Sequence, residues 1–501
     1  MSPLRMRSAA LRLLAVLLGV TGAAPLAQAT VAPLTLEEVL DSVRERHPQV
    51  AVARQGVASA EAELLSAKGG FDTVLKTKGV YVPFSYYPHE RLDAVVEQPL
   101  PLGGMRLFGG YRLGQGKFPT YYGQYETLSS GELRAGLELP LWRNGSIDKR
   151  RADISKARLR KEMTGTTLAG DRLELQREAA YHYWDWVAAG QQLGIVSAQY
   201  GLAVTRHEQL ARRAAAGDIP QIEHTENERV LLEREAELIA ARRKLEQAAL
   251  KLSLYLRDTE GEPLVVSPSR MPGGLPVPNA VLNAQLDTQL EQALRQRPEL
   301  RELALQRELF QVDARLARNQ AAPAVDLGVS VAKDLGAGPA NLRPTELQAS
   351  LTLDVPLQAR GARGQRQAAE AKRAAVEAKT RLARDKVATE VRDTLSALHA
   401  AYERVGLARS AADVARRLAR GELTRFEQGA TSLLFVNLRE QAAVDAELKE
   451  IKALVDYHRA VIDLRAATAS QEPAPLLDAT GPQLPGDMLE TGSATQGMTG
   501  G

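Results

Sequence analysis

From Ser146 to Ala216 the sequence runs for about 70 residues without a proline, the residue that most reliably interrupts a helix. As one helix rising 1.5 Å per residue it would be a rod of about 105 Å, several times longer than the helices of ordinary globular domains. A second proline-free run, Gly364 to Gln428, gives a rod of about 100 Å. Rods of this length need neighbours along their whole course. Only 5% of residues are aromatic, 25% are charged and mean hydropathy is −0.25, a composition suited to long helices with narrow buried seams rather than to one large core. Each run closes at a glycine, Gly217 or Gly429, as a left-handed helix cap requires. Arg212 and Arg213, and again Arg420 and Arg425, stand near those ends, where the helix dipole favours cations.

The chain is written twice. LEEVLDSVRERHPQV from Leu36 and LDTQLEQALRQRPEL from Leu286 align at a constant offset of 250, with Leu36 on Leu286, Leu40 on Leu290, Pro48 on Pro298 and Val50 on Leu300. Leu137, Leu139 and Leu141 alternate with Glu138, Pro140 and Trp142 at the period of a two-faced strand. Leu351, Leu353, Val355 and Leu357 repeat the pattern, so that Pro140 and Pro356 mark equivalent strand-to-helix junctions. A returning helix follows each glycine turn, Gln221 to Leu256 and Ser432 to Ala467, each about 54 Å long. A shorter helix of about 30 Å precedes each strand region, Gln49 to Lys68 and Glu299 to Asn319. Stacked end to end, a short helix and a returning helix nearly match one rod.

The boundaries follow. Residues 1–29 form a signal; 30–259 a first repeat, with strands at 71–142 and a long helix at 146–216; 260–285 a Pro/Gly-rich linker. A second repeat occupies 286–467, with strands at 324–357 and a long helix at 362–428, before a Gly, Pro, Ser and Thr-rich tail at 468–501 that is expected to be disordered. In the second rod Val387, Val391, Thr394, Leu398, Tyr402 and Val405 form one seam, and Ala397, Ala401, Ala408, Ala412 and Ala415 form another. A helix with two seams has two neighbours, in a hollow cylinder or in a compact bundle.

Arg5, Arg7 and Arg12 precede the apolar run LLAVLLGV, and Ala27-Gln28-Ala29 is a small-residue cleavage site; the short run and Pro25 argue for a removed secretory signal over a membrane anchor. With no cysteine the chain has no disulfide, thiolate metal site or lipidated thiol. Beyond the signal no run of 18 apolar residues occurs, so entry into a membrane would require a closed barrel. Val325, Leu327, Val329 and Val331 alternate with Asp326, Gly328, Ser330 and Ala332, as in a tilted transmembrane strand. About half of the aromatic residues lie between Phe71 and Trp142, among them Tyr81, Phe84, Tyr86, Tyr87, Tyr121, Tyr122 and Trp142, as interfacial girdles would need. A soluble sandwich edge has a similar pattern, and Ala324 to Leu357 contains no aromatic. One hairpin per repeat gives four strands per chain, fewer than the eight or so of the smallest barrels, so several chains would share one. The stretch from Leu92 to Pro119 leaves a choice between a further hairpin and an extracellular loop.

A formal net charge of +3 over 501 residues offers no basis for nucleic-acid binding. His182 and Asp185 in YHYWDW sit one helical turn apart, and His207-Glu208 opens HEQLA, which lacks the second histidine of a zinc protease motif. Helix-packing bulk accounts for YHYWDW. No catalytic residue, metal or cofactor is expected.

The signal, the duplicated plan, the HPQV and RPEL starts, the proline junctions and the glycine turns together resemble the TolC-like outer-membrane channels of efflux pumps and type I secretion systems, over about Val31 to Ala467. The resemblance implies a mainly α fold with a membrane β-barrel. A homotrimer would close a 12-stranded barrel in outer-membrane lipid, continuing as a 12-helix α-barrel across the periplasm. It implies a passive exit duct rather than an enzyme, serving an inner-membrane transporter through a periplasmic adaptor. The tip turns would then be Gly217, Asp218, Gly429 and Ala430. The constriction would be built from Glu223, Phe426 and Phe435, although Phe435 and Leu438 stand where the family often carries acids. A periplasmic coiled-coil scaffold is the competing reading, and the cargo is not specified.

Overall fold

The structure, a computed structural model, describes residues 32–119, 125–278 and 285–470. The signal, Tyr121 and Tyr122, and the tail after Ser470 lie outside the described residues. Each half runs two short helices, strands, a long helix and a returning helix, with four strands in the first half and two in the second. The first half contains α1 (Leu36–Arg46), α2 (Pro48–Lys68), β1 (Val74–Val82), β2 (His89–Pro99), β3 (Arg106–Gly116), β4 (Glu132–Pro140), α3 (Lys149–Ala215) and α4 (Gln221–Leu252). The second contains α5 (Leu286–Gln296), α6 (Pro298–Gln320), β5 (Ala324–Asp334), β6 (Glu346–Asp354), α7 (Arg360–Glu427) and α8 (Leu433–Ala467).

The 67 residues of α3 and the 68 of α7 are rods of about 100 Å. Asp148 starts α3 by accepting the Arg151 amide at 2.9 Å, and Pro48 and Pro298 occupy the first turns of α2 and α6, where a missing N–H costs nothing. Along α3, α2 covers the half next to the strands, where Lys161 pairs with Glu61 at 2.5 Å, and α4 covers the half next to the turn, where Lys244 meets Gln192 at 2.7 Å. Along α7, α6 and α8 divide the length in the same way. The two halves are joined through α3 and α8 by Arg459–Asp185 at 2.6 Å and by Tyr181 with Asp463.

The largest core lies midway along the rods. Trp186 and Val187 of α3 are fully buried there, with Val39 and Val43 of α1 and Leu252 of α4, and the segment after α4 adds the buried Tyr255, Leu256, Val266 and Leu275. Residues 255–276 therefore pack along the waist of the bundle. Tyr183 donates to the Leu34 carbonyl at 3.0 Å, and His458 Nε2 donates to the Pro276 carbonyl at 3.0 Å while its ring stacks on Trp184 at 4.2 Å. YHYWDW is packing material in this core.

All six strands form one antiparallel sheet in the order β1-β2-β3-β4-β5-β6, with β4 and β5 joining the halves. The four-strand expectation is thus corrected to six: the stretch after Leu92 supplies the hairpin β2–β3. Its turn needs glycine twice over, since Gly104 has φ +75° and a Cβ there would lie 2.6 Å from the Asn144 carbonyl oxygen. The two seams of α7 are covered unequally. Val387, Val391, Leu398 and Val405 of the first seam are buried; of the alanine seam Ala401 and Ala412 are buried, Ala408 and Ala415 partly covered and Ala397 exposed. Leu407, Val414 and Leu418 form an exposed apolar stripe beside them, uncovered by any of the described residues.

Candidate functional site: the two-faced sheet and the helical tip

The ladder register assigns every strand residue to a face. Pairings such as Lys78 with Asp93, Asp93 with Arg112, Arg112 with Glu132, and Glu132 with Asp334 place Lys76, Arg91, Glu97, Arg106, Arg134, Gln348 and Thr352 on one polar face. The other face carries Leu75, Leu92, Val96, Leu107, Leu133, Leu137, Leu327, Val329, Leu347, Leu351 and Leu353. Leu347 is 76% exposed and Leu351 68%, so a broad apolar surface lies uncovered. At the helix end of the sheet stand exposed Leu141 and Trp142; at the far end, exposed Tyr81, Phe84 and Tyr86. The outer edges of β1 and β6 have no partner among the described residues, and β6 is exposed at all nine positions.

The polar face is cross-linked by charge. Arg112 bonds Asp93 at 2.8 Å and approaches Glu132 at 3.5 Å, and Arg91 pairs with Asp93 at 2.9 Å. Nearer the helices Glu97 receives Lys76 at 2.8 Å and Arg106 at 3.0 Å, and Arg106 also binds Glu138. Arg91–Asp93 lies within β2; the pairs that cross strands contribute about 0.2–1 kcal/mol each and hold register. Part of the β3–β4 connection covers this face: Arg91 lies 4.2 Å and Arg112 5.1 Å from the Tyr125 ring centre, and Leu128 N donates to Asp334 Oδ1 at 2.9 Å.

Pro140 and Pro356 stand where the strands give way to rods, as the sequence places them. At the first junction Asn144, at φ +69°, is fixed by Asn319 Oδ1 at 2.8 Å and by Gln320 at 2.9 Å, and Arg143 reaches Asp354 at 3.1 Å. Before α7, Ala359 takes the left-handed conformation at φ +46°.

At the opposite end both turns share one geometry. Gly217, at φ +82°, donates to the Ala214 carbonyl at 3.1 Å, and Asp218 to Arg213 at 2.9 Å; Gly429, at φ +72°, donates to Phe426 at 2.9 Å, and Ala430 to Arg425 at 2.8 Å. Each is a Schellman cap. Leu210, Leu433 and Val436 tie the turns together with Ile219, Leu423 and Phe426 around them. Phe426 is partly buried against this cluster. Glu223 is half-buried, whereas Phe435 is 52% exposed and Leu438 58%.

Sequence reasoning missed the ionic link behind the tip. Arg206 of α3 holds Glu440 of α8 with two bonds at 2.6 and 2.8 Å and Asn437 at 3.0 Å, and both charged side chains are about 85% covered. No periodicity signals a pair 234 residues apart. His207, from HEQLA, instead faces His224 at 4.8 Å across α3 and α4. Among the described residues no cluster of three or more His, Cys, Asp or Glu is placed to hold a metal.

Residues 289–470 match the family of outer membrane efflux proteins. No curated protein matches the sequence. Among solved structures, the chain is similar to the outer membrane channel CmeC of Campylobacter jejuni, at 12% identity and TM-score 0.61 over 89% of this chain and 90% of that one. The outer membrane protein VceC of Vibrio cholerae gives 16%, 0.59, 86% and 95%, and the open state of the outer membrane channel MtrE of Neisseria gonorrhoeae gives 14%, 0.60, 86% and 88%. The chain has the mainly helical fold with an antiparallel sheet that these channels share.

Proposed function

We propose that this chain, whose second half matches the outer membrane efflux proteins and whose fold is that of TolC-like outer-membrane channels, is the exit duct of a tripartite efflux pump or type I secretion system. The observation that carries the reading is the sheet: one uncovered apolar face, one charged face, two free edges, and strands of 9–11 residues, the length that crosses a bilayer at a tilt. No helix of the described residues is long and apolar enough to cross a membrane, so a barrel shared between chains is the route in. In it β6 of one copy pairs with β1 of the next, the apolar face meets outer-membrane lipid and the charged face lines water.

A homotrimer of six-stranded chains closes eighteen strands rather than twelve. The exposed stripe Leu407, Val414 and Leu418 on α7, and Leu232 with Ile239 on α4, are the seams through which neighbouring copies close the helical tunnel. Residues 30–259 and 286–467 are its two repeats. The rods extend into the periplasm, where the Gly217–Asp218 and Gly429–Ala430 turns dock a periplasmic adaptor and face the inner-membrane transporter. Glu223, Phe426 and Phe435, one set from each copy, narrow the entrance. Conduction is passive and needs no chemistry of the chain's own. A periplasmic coiled-coil scaffold would account for the rods but gives no reason for the apolar sheet face.

The test is outer-membrane fractionation followed by electrophoresis with and without boiling. A folded species that migrates differently until boiled, extracted only by detergent, supports the barrel. Recovery in the detergent-free periplasmic fraction overturns it.

A further inference from the structure

The hairpin β2–β3 lengthens the wall of the lumen, and an eighteen-strand barrel is of the class that leaves an open aqueous channel. Yet the charges on this hairpin are not open: Asp93, Arg91 and Arg112 retain only 11–15% side-chain exposure, although they lie on the face that the barrel reading turns toward water. The chain covers them with the described part of its own β3–β4 connection, from Tyr125 onward. Tyr125 lies across Arg91 and Arg112 at 4.2 and 5.1 Å, and Phe118 packs on His89 at 4.7 Å. Thr127 N donates to the Gly114 carbonyl at 3.1 Å, Gly114 N donates to Thr127 Oγ1 at 3.1 Å, and Leu128 is buried.

Glycine makes this seating possible. A Cβ on Gly114 would run into the Tyr125 carbonyl oxygen and touch the Phe118 ring. On Gly338 it would lie 2.8 Å from Leu128. Strand-end glycine lets one backbone lie directly on another where any side chain would hold them apart. The connection is at the end of the sheet remote from the helices, hence at the outer mouth.

We propose that residues 125–131, seated by Gly114 on the arginines of the β2–β3 hairpin, fold into the lumen and act as a size filter at its outer mouth, excluding bulky hydrophilic solutes. This rests on the channel reading. The filter is separate from the helical tip, at the opposite end of the duct, and offsets the widening produced by the extra strands. Cation–π contact of two guanidiniums with one ring holds it without closing the lumen to water and small ions.

The chain has no cysteine, so Ser330→Cys places a single thiol on the polar face of β5, four residues deeper than Asp334. Whole cells are treated from outside with a small and with a bulky membrane-impermeant maleimide. Gly114→Leu should unseat the connection, and Tyr125→Ala should loosen it while leaving the strand intact. The expected result is that the small reagent labels all three backgrounds alike, whereas the bulky one labels both variants several-fold faster than the parent. Equal bulky-reagent rates in Ser330→Cys and in Tyr125→Ala/Ser330→Cys, both heat-modifiable, would overturn the filter and leave the channel standing. No labelling by either reagent in a correctly assembled protein would overturn both. If Gly114→Leu fails to assemble, the Tyr125→Ala pair decides.

Discussion

Removing Arg206 should loosen the helical tip more than removing both members of its ion pair. The guanidinium joins α3 to α8 through two bonds to Glu440, at 2.6 and 2.8 Å, and one to Asn437 at 3.0 Å. Both charged side chains are about 85% covered, between the exposed pairs that contribute up to about 1 kcal/mol and the buried ones whose disruption costs about 3–5. An intermediate loss of about 2 kcal/mol is expected for Arg206→Ala, because Glu440 is left as a largely covered carboxylate without its cation. Through local opening this amounts to about a thirtyfold rise in amide exchange. Hydrogen exchange on the solubilised protein should show it in 207–215 and 433–441, while the waist around Trp186 is unchanged. Arg206→Ala/Glu440→Ala should recover part of the protection, since the stranded charge is gone. Exchange at the tip that is unaltered in the single variant, or additive losses in the double one, would show that the pair does not hold α3 to α8.

Further outcomes follow from the same structure. Proline cannot take φ +82° or +72°, so Gly217→Pro and Gly429→Pro should insert in the membrane yet lose export, read as cargo retained in cells; normal export by both would remove the turns from the docking site. In bilayer recordings Glu223→Gln should lower cation preference and Phe435→Ala should raise open probability, and unchanged traces would mean that these residues do not line the entrance. Burial lowers the His458 pKa to about 4, below its ordinary value of 6.5. The unfolded chain therefore binds the proton first: the contribution of neutral His458 is complete above about pH 6.5 and falls by up to about 3 kcal/mol per chain as pH drops toward 4. Melting curves should show this loss, and His458→Gln should flatten it.

The rods, the duplication and the turn glycines were legible because each depends on local chemistry: proline's absence, a repeated offset and the left-handed cap at Gly217 and Gly429. The hairpin β2–β3 was ambiguous. Gly103, Gly104, Gly109, Gly110, Gly114 and Gly116 interrupt its alternation, and a glycine-rich strand reads as a loop until its partner is known. Register then makes sense of the charges, since Arg91, Asp93 and Arg112 share a face only once Asp93 is set opposite Arg112. The alanine face of α7 was read as a second seam with its neighbour left open, because periodicity reveals that a face is apolar and not which molecule covers it. The Arg206–Glu440 link and the seating of Tyr125 on two arginines belong to tertiary structure alone. The candidate constriction is intermediate: Phe426 could be located from its distance to Gly429, but its inward packing on Leu433 and Val436 could not.

The central claim, that six-stranded chains share one barrel around a common tunnel, is tested most directly by native mass measurement of the detergent-solubilised complex. The account predicts a species of three chains, closing eighteen strands. A monomer as the only species would contradict the shared barrel, and a dimer, closing twelve strands with two chains, would contradict the trimeric tunnel.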